Sequence, residues 1–164
     1  MELEELYPTI QPRIYAFFYV KTLSREAAED LTQDVFYEAW KGAASFSGRS
    51  TVQTWLFGIA KNKLSHYYRS KRYKADLAAR LAPDRSESAT PEEQVIAKEG
   101  EQRLLAAIRE LDPVSREIVE LRIYGELSFK EIGELVGESE NVARVRFHRA
   151  KLRLHRELGG YDGQ

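Results

Sequence analysis

At 164 residues, the chain is long enough for one ordinary domain or two small ones, and its 43% hydrophobic content can fill a core. Its 25 basic residues nearly cancel its 26 acidic residues, but the bases gather at 61–74 and 142–156, where they can serve a polyanionic partner. The lack of cysteine excludes a disulfide framework and thiolate metal sites. No apolar run has membrane-spanning length and the acidic N-terminus is unlike a secretion signal, so we expect a cytoplasmic protein.

The first forty residues carry two helical patterns. Apolar residues recur between Leu3 and Phe18, and this helix is predicted to begin near Pro8 or Pro12, because each proline lacks a backbone donor. Ser24 is predicted to cap a second helix. The apolar positions of that helix are Ala27, Leu31, Val35 and Trp40, and its outward face carries Glu26, Glu29, Asp30, Gln33, Asp34 and Glu38.

A polar loop over residues 46–50 precedes a third helix, for which Ser50 and Gln53 have capping-box spacing. The helix is apolar at first and then interleaves bases with aromatic side chains from Lys61 to Lys74. Such interleaving favours a surface that follows a phosphate backbone and stacks bases. The alternative interpretation is the half-buried end of an ordinary amphipathic helix.

Periodicity is lost after the third helix, and residues 75–91, rich in proline, serine and acid, are predicted to form a flexible linker that keeps at most a turn or two of helix. Thr90 and Pro91 then favour the start of another helix. A further helix is predicted from Pro113 to Gly125.

The stretch from Leu127 to Leu154 is typical of a helix-turn-helix. Ser128 and Glu131 have capping-box spacing, Gly137 suits a left-handed helix end, and Ser139 can cap the second helix. One stripe of that helix is apolar, with Ala143, Phe147, Ala150 and Leu154; the opposite stripe carries Asn141, Arg144, Val145, His148 and Arg149. The pattern predicts a helix that enters the DNA major groove. A solvated basic face on an ordinary helical hairpin is the alternative.

Three stretches, AEDLTQDVFYEAW (28–40), FSGRSTVQTWLFGIAKNKLSHYYRSKR (46–72) and LSFKEIGELVG with VRFHRAKLRL (127–154), together resemble the bacterial extracytoplasmic-function sigma factors. The first two resemble sigma region 2 and the third resembles region 4. The resemblance implies an all-α fold of two small helical domains joined by a flexible linker, the C-terminal one with a helix-turn-helix. The expected division is a region 2-like domain over 1–74, the linker over 75–91, a region 4-like domain over 92–158 and a tail over 159–164.

The resemblance implies a protein that joins core RNA polymerase and directs it to promoter DNA, with neither catalytic activity nor cofactor nor metal. The expected polymerase contacts are the clamp helices of the largest subunit and the flap of the second largest. An anti-sigma factor, in this family often a membrane protein, is a further expected partner, and the chain is expected to be a monomer when free of these. By position, the residues expected to bind polymerase are Asp30, Leu31, Gln33, Asp34 and Phe36.

The same resemblance assigns recognition of the −10 element to the loop and the helix after it. Opening DNA takes a base out of its stack, and a pocket with a positive groove can hold the extruded strand. The expected −10 residues are Phe46, Ser47, Gly48, Arg49, Ser50, Lys61, Asn62, Lys63, Tyr67 and Arg69. We expect Trp55 to belong to the core.

Recognition of the −35 element is assigned to the last helix. Arg144 and Arg149 can read guanine through bidentate hydrogen bonds, whereas Arg146 suits a phosphate contact. The full set of expected −35 residues is Ser139, Asn141, Arg144, Val145, Arg146, His148, Arg149 and Lys151. Glu138 and Glu140 depart from the family pattern, and carboxylates there repel phosphate.

Two other classes of function remain open from the residues alone. A helix-turn-helix regulator that acts without polymerase would be expected to carry a ligand or dimerisation domain, and no such domain is visible. An enzyme would need a site, but His66, His148 and His155 have no paired metal spacing, and no phosphate-binding glycine loop occurs.

Overall fold

The computed structural model describes residues 3–81 and 99–159. These residues form α-helices and one 3₁₀ turn and contain no strand, which confirms the predicted all-α fold. In chain order they are α1 (Leu3–Thr22), α2 (Arg25–Gly42), the 3₁₀ turn (Ala43–Ser45), α3 (Val52–Leu81), α4 (Glu99–Arg109), α5 (Pro113–Ile123), α6 (Phe129–Val136) and α7 (Glu140–Gly159).

Helix α1 begins at Leu3 and contains both prolines, so the predicted start near Pro8 or Pro12 was wrong. Both prolines are exposed. Proline has no N–H group to donate to the helix carbonyl four residues earlier. On the solvent side, water can bond that carbonyl instead, so the helix tolerates both prolines. The opposite side of the helix is buried through Ile10, Ile14 and Phe17.

Helix α2 follows a left-handed residue, Leu23, with φ of 55°. The predicted cap is confirmed, because Ser24 Oγ accepts a hydrogen bond of 3.1 Å from the backbone N–H of Ala27. Trp40, however, is 61% exposed, and its prediction as an inward position was wrong. The buried positions step by three or four residues through Ala28, Leu31, Val35 and Ala39, which leaves Trp40 about 100° away from that face.

Helix α3 is capped by Thr51 and not by Ser50, as the capping-box spacing had suggested. Thr51 Oγ1 accepts from the backbone N–H of Thr54 at 3.1 Å, while the hydroxyl of Ser50 donates to the Thr51 carbonyl. The helix continues to Leu81, so the first residues of the predicted linker are helical. Residues 82–98, which include the rest of that linker and the predicted helix start at Pro91, lie outside the described residues.

The helix-turn-helix has the predicted local geometry. Ser128 and Glu131 form a reciprocal capping box at the start of α6. Gly137 ends α6 with φ of 77°, a left-handed conformation that costs glycine little. Ser139 Oγ then accepts from the backbone N–H of Val142 at 3.0 Å and caps α7. The turn between α6 and α7 is therefore fixed by three local devices.

The two halves of the chain share one core. The rings of Phe17 on α1 and Phe57 on α3 meet edge to face at 5.6 Å, and the same cluster of buried side chains includes Ile118, Leu121 and Ile132 from the second half. A smaller core belongs to the second half alone and comprises Ala107, Ile108, Leu111, Val119, Ala150 and Leu154. Helix α6 lies against α3, and α5 lies against α1.

Candidate protein and nucleic-acid interfaces

Helix α2 presents an acidic surface. Asp30, Gln33 and Asp34 are exposed, Phe36 is half-buried, and all four belong to the predicted polymerase contacts. Leu31 is only 7% exposed and packs in the shared core, so the structure gives it a packing role instead of the predicted contact role. Free carboxylates on a helix can steer a basic partner into place.

An aromatic groove continues this acidic surface toward the end of α2. The rings of Tyr7 and Phe36 meet at 4.7 Å, and Leu3, Glu4 and Trp40 complete the lining. The sequence prediction missed Tyr7 because α1 was expected to begin after it, and missed Trp40 because it was assigned to the core. The sequence did contain a sign that Trp40 is exposed: it does not continue the spacing of three or four residues that relates the buried positions of α2.

The loop between α2 and α3 is mostly exposed. Ser47, Gly48 and Arg49 face solvent, and Gly48 turns the chain with φ of 79°. Phe46 is half-buried because its ring packs on Trp55 at 5.0 Å. Trp55 packs in turn against the shared core, as expected. The Phe46–Trp55 contact therefore anchors the start of the loop, while the polar residues that follow stay accessible to solvent.

The predicted −10 residues on α3 lie on more than one face. Asn62 and Arg69 are exposed on one stripe with His66, whose Nδ1 accepts from the Arg69 guanidinium at 2.9 Å. Lys63 and Tyr67 lie on a different stripe, about 100° or more around the helix. Lys63 Nζ is 3.7 Å from a carboxylate oxygen of Glu38 on α2, so a neighbouring helix already partly neutralises it.

Lys61 is half-buried, and its ammonium group already contacts residues of the second half of the chain. Its Nζ donates to the carbonyl of Leu135 at 2.7 Å and lies 3.8 Å from Glu117 Oε2. A sequence pattern does not show this occupation, because both partners are more than fifty residues away. Lys61 is thus not free for DNA in this conformation.

Helix α7 exposes most of the predicted −35 residues: Asn141, Val145, His148 and Arg149 share one exposed face, and Lys151 is exposed beside it, about 60° around the helix from His148. Ser139 is exposed, but its hydroxyl is the helix cap. Arg146 turns toward the start of α5 and lies 3.3 Å from Asp112 Oδ2. Hydrogen bonds from Ser115 hold the pKa of Asp112 below its usual value, and the Arg146 charge lowers it further.

Arg144 is held in place by an acidic neighbour on its own helix. Its guanidinium donates to Glu140 at 2.9 Å and lies 5.4 Å from the centre of the Phe129 ring, in the range of a cation–π contact. The unusual acid Glu140 therefore orients a candidate base reader. A guanine must compete with this carboxylate for the Arg144 side chain.

A charged group is buried between the two halves. Lys21 Nζ on α1 lies 2.6 Å from Glu117 Oε1 and 2.5 Å from Glu120 Oε1, and Glu120 is only 4% exposed. Burial raises the pKa of Glu120 and outweighs the opposing charge of Lys21. Burial also disfavours the charge on Lys21, but the two carboxylates outweigh it and raise the pKa of that ammonium.

A second polar contact joins the halves beside the loop. Thr51 Oγ1 donates to Glu131 Oε2 at 2.6 Å, and Thr54 Oγ1 is 3.4 Å from the same oxygen. Partial burial opposes ionisation of Glu131, yet the hydrogen bonds from Thr51 and Ser128 prevail and lower its pKa. Glu131 thus caps its own helix and holds the first turn of α3 at the same time.

The described residues contain no group of three or more acidic or histidine side chains placed to hold a metal ion. Within the same residues, no helix is both long and apolar enough to span a membrane.

Two family models match the chain: Sigma-70 region 2 over residues 6–73, and Sigma-70 region 4 over residues 101–154. The RNA polymerase sigma factor YlaC of Bacillus subtilis is 29% identical over 95% of this chain and 91% of the relative. The ECF RNA polymerase sigma factor SigM of the same organism is 30% identical, with coverages of 94% and 93%. The fold is similar to that of the sigma factor RpoE from Bartonella quintana, solved with the anti-sigma factor NepR, at a TM-score of 0.69, 22% identity and 98% coverage of both chains.

Proposed function

The chain belongs to the extracytoplasmic-function (ECF) sigma factors of RNA polymerase and acts in promoter recognition and transcription initiation, and from this premise we propose how its surfaces divide that work. The first half, over residues 1–74, binds polymerase and opens the −10 element. The second half, over residues 92–158, binds the −35 element. The observation that carries this division is that one chain exposes an acidic face on α2, a polar loop over residues 46–50 before α3, and a basic face on α7.

The proposed polymerase surface is the exposed face of α2 together with the aromatic groove beside it. Asp30, Gln33 and Asp34 supply charge and polarity, and Phe36 and Trp40 supply apolar area. Interfaces commonly combine aromatic anchors with a polar rim, and this surface has both. Its partner is a basic helical surface of the polymerase, for which the clamp helices are the proposed site.

The proposed −10 surface consists of the loop over residues 46–50 and the exposed stripe of α3 that carries Asn62 and Arg69. A melted strand needs a pocket for an extruded base and positive charge along its backbone. The loop supplies exposed polar groups above the Phe46–Trp55 base, and Arg69 supplies charge. Lys61 joins this surface when the second half of the chain no longer occupies it.

The proposed −35 surface is the exposed face of α7. Arg149 is exposed and bound to no acid on its helix, so it is the strongest candidate for a bidentate contact with guanine. Val145 offers an apolar contact to a thymine methyl group. Arg144 reads a base only when that base displaces Glu140.

Sigma factors are initiation factors and not catalysts, which agrees with the expected absence of an enzymatic role. We place the protein in the cytoplasm, where polymerase and promoters meet. An anti-sigma factor is the proposed regulatory partner, and it is supported by the similarity to RpoE, which was solved with such a partner. The flap of the second largest polymerase subunit is the proposed contact of the second half.

Transcription with purified components tests the proposed function. The chain is mixed with core RNA polymerase and a library of promoters randomised at both elements, and run-off transcripts are sequenced. We expect transcripts only when the chain is present, from templates enriched at two separate elements. Failure to bind core polymerase or to enrich any template contradicts the proposal.

Asn62→Ala is expected to slow open-complex formation about tenfold or more, because an amide that reads a base edge contributes about 1–3 kcal/mol of discrimination. The measurement is permanganate reactivity of unpaired thymines on a selected promoter. Ser70→Ala, an exposed change about two turns further along the same helix, is the matched control. Equal open-complex rates in both variants contradict the role of Asn62.

Arg149→Ala is expected to weaken initiation about tenfold to a hundredfold at promoters with an intact −35 element, since a lost bidentate pair costs about 1–3 kcal/mol. Competition between matched and mutated −35 templates measures the change. Arg156→Ala, at the exposed end of the same helix, should lower all templates alike if it has any effect. Unchanged selectivity in Arg149→Ala would rule out the assignment.

A further inference from the structure

An acidic residue begins the helix that carries the −35 surface. Glu140 is the first residue of α7, and its side chain is 49% exposed. In a helix-turn-helix, the first residues of the recognition helix contact base edges in the major groove. The flanking phosphates repel a carboxylate in that groove, so Glu140 weakens binding unless a base offers it a hydrogen-bond donor.

The partner of Glu140 in the free chain is Arg144, one turn later on α7. Arg144 Nη2 donates to Glu140 Oε2 at 2.9 Å, and the guanidinium carbon lies 5.4 Å from the centre of the Phe129 ring. That ring is fixed in turn by the Arg122 guanidinium, 4.2 Å from its centre, and by the Phe147 ring at 5.5 Å. The carboxylate and the aromatic ring therefore hold the guanidinium of Arg144 at a defined place near the start of α7.

The major-groove edge of a G·C base pair has the complementary pattern of donors and acceptors. Guanine presents the acceptors N7 and O6, and its partner cytosine presents the N4 amino group as a donor. O6 and N4 are hydrogen-bonded to each other within the base pair, so they are about 2.9 Å apart. The donor atom of Arg144 and the acceptor atom of Glu140 have the same separation, 2.9 Å, in the free chain. The two side chains together thus match both bases of one pair.

The Arg144–Glu140 ion pair can be exchanged for DNA at little cost. Both side chains are about half exposed, and such a pair one turn apart on a helix contributes little to stability. When guanine takes the guanidinium N–H groups, the Glu140 carboxylate loses its donor, and a carboxylate without a donor in a closed interface is unfavourable. The amino group of the paired cytosine supplies a new donor.

We propose that Glu140 is a specificity-determining residue of the −35 surface, which reads cytosine while Arg144 reads the guanine of the same base pair. The proposal rests on the proposed function, because it takes from it that α7 enters the groove of the −35 element. The carboxylate adds discrimination at one base pair, although its charge alone would weaken binding to any DNA.

The donor and acceptor pattern predicts the order of the four base pairs at this position. G·C is expected to bind best. T·A is expected second, because thymine O4 accepts one hydrogen bond from Arg144 and adenine N6 donates to Glu140. A·T and C·G are expected to bind worst, since each places an acceptor against the carboxylate and a donor against the guanidinium.

The first measurement uses the holoenzyme, formed from the full chain and core polymerase. A promoter is selected from the randomised library, and the four base pairs at each −35 position are compared by competition. Glu140→Ala is expected to lose about tenfold of the preference for T·A over A·T at one position. The matched control is Glu157→Ala, whose ion pair with Arg153 at 3.3 Å is also one turn apart on α7. The control is expected to keep the parent's order.

Base analogues in the selected promoter give the second measurement. N4-methylcytosine still pairs with guanine but replaces the amino hydrogen that faces the groove, and 7-deazaguanine lacks the N7 acceptor. We expect N4-methylcytosine to weaken binding of the parent about tenfold and that of Glu140→Ala less than about twofold. We expect 7-deazaguanine in the same base pair to show the corresponding coupling with Arg144→Ala.

Glu140→Gln guards against a loss that comes only from misfolding. Glutamine forms two hydrogen bonds with adenine, through N6 and N7. This variant is therefore expected to raise T·A relative to G·C at the same position, a gain that an unfolded helix does not produce. Circular dichroism checks the fold of both Glu140 variants, and if Glu140→Ala unfolds, Glu140→Gln decides.

Equal sensitivity of the parent and Glu140→Ala to N4-methylcytosine overturns the reading of cytosine. Uniformly tighter binding of Glu140→Ala to all templates also overturns it, because the carboxylate then acts only by repelling phosphate. Coupling of Glu140 and Arg144 to different base pairs overturns joint reading of one pair. If the library yields no promoter, the proposed function itself has failed; a selected −35 element without these couplings overturns this inference alone.

Discussion

Replacement of Gly133 by alanine is expected to destabilise the helix-turn-helix and abolish initiation that depends on the −35 element. A Cβ at this position would lie 2.5 Å from the carbonyl oxygen of Glu138 and 3.2 Å from the carbonyl carbon of Ser139. Both are backbone atoms, and the Gly133 carbonyl itself accepts from the N–H groups of Gly137 and Glu138 at 2.9 Å. The turn must open to admit the methyl group, which we expect to cost about 2–3 kcal/mol.

Thermal and denaturant unfolding measure the loss of stability, and binding of a −35 duplex measures the loss of function. The matched control is Gly100→Ala, because that glycine is an exposed helical residue with nothing within 4 Å of an added Cβ. Alanine favours a helix over glycine, so the control should be neutral or slightly stabilising. If both variants unfold at the same denaturant concentration, the steric account of Gly133 is incorrect.

Asp34→Lys is expected to have the second largest effect, on assembly with polymerase. Asp34 is exposed on α2. The loss of one partner from a charge pair that is buried at an interface typically costs about 2–5 kcal/mol of binding free energy. We therefore expect core polymerase to bind the variant at least thirtyfold more weakly. Competition against the labelled parent chain measures this affinity, and the binding of isolated −35 duplex should not change.

Glu110→Lys makes the same charge change at an exposed site outside the proposed polymerase surface. It separates a local contact from a general effect of two units of net charge on association. Equal affinity losses in the two variants would mean that overall charge, and not the α2 surface, governs assembly. Full binding by Asp34→Lys would place the polymerase contact elsewhere on the chain.

Helix caps and turn conformations were predictable from the sequence where they depend on a few neighbouring residues. The capping box of Ser128 with Glu131 and the left-handed Gly137 involve atoms within one turn of each other, and the structure has both. The start of α3 depends on a choice between adjacent hydroxyls, and the sequence favoured Ser50 where Thr51 is the cap. Burial of Leu31 and exposure of Trp40 depend on the phase of one helix against the core.

Contacts between distant segments were not predictable from the patterns. Lys21, Glu117 and Glu120 each lie in a helix where an isolated charge resembles an ordinary solvated side chain. Their shared burial follows only from the way α5 lies against α1, which no local period encodes. For the same reason, Lys61 was predicted as a free DNA contact although a carbonyl of α6 occupies it.

Helix α3 also limits which promoters the chain can use. It runs unbroken from Val52 to Leu81, so its end lies about 30 Å beyond Lys61. The peptide from Leu81 to Glu99 can span at most about 60 Å, whatever path it takes. Together they reach about 90 Å, close to the roughly 85 Å between two elements about 25 base pairs apart. This length, to which the size of the second half itself adds, sets an upper limit on the separation between the two elements that the covalent chain can bridge.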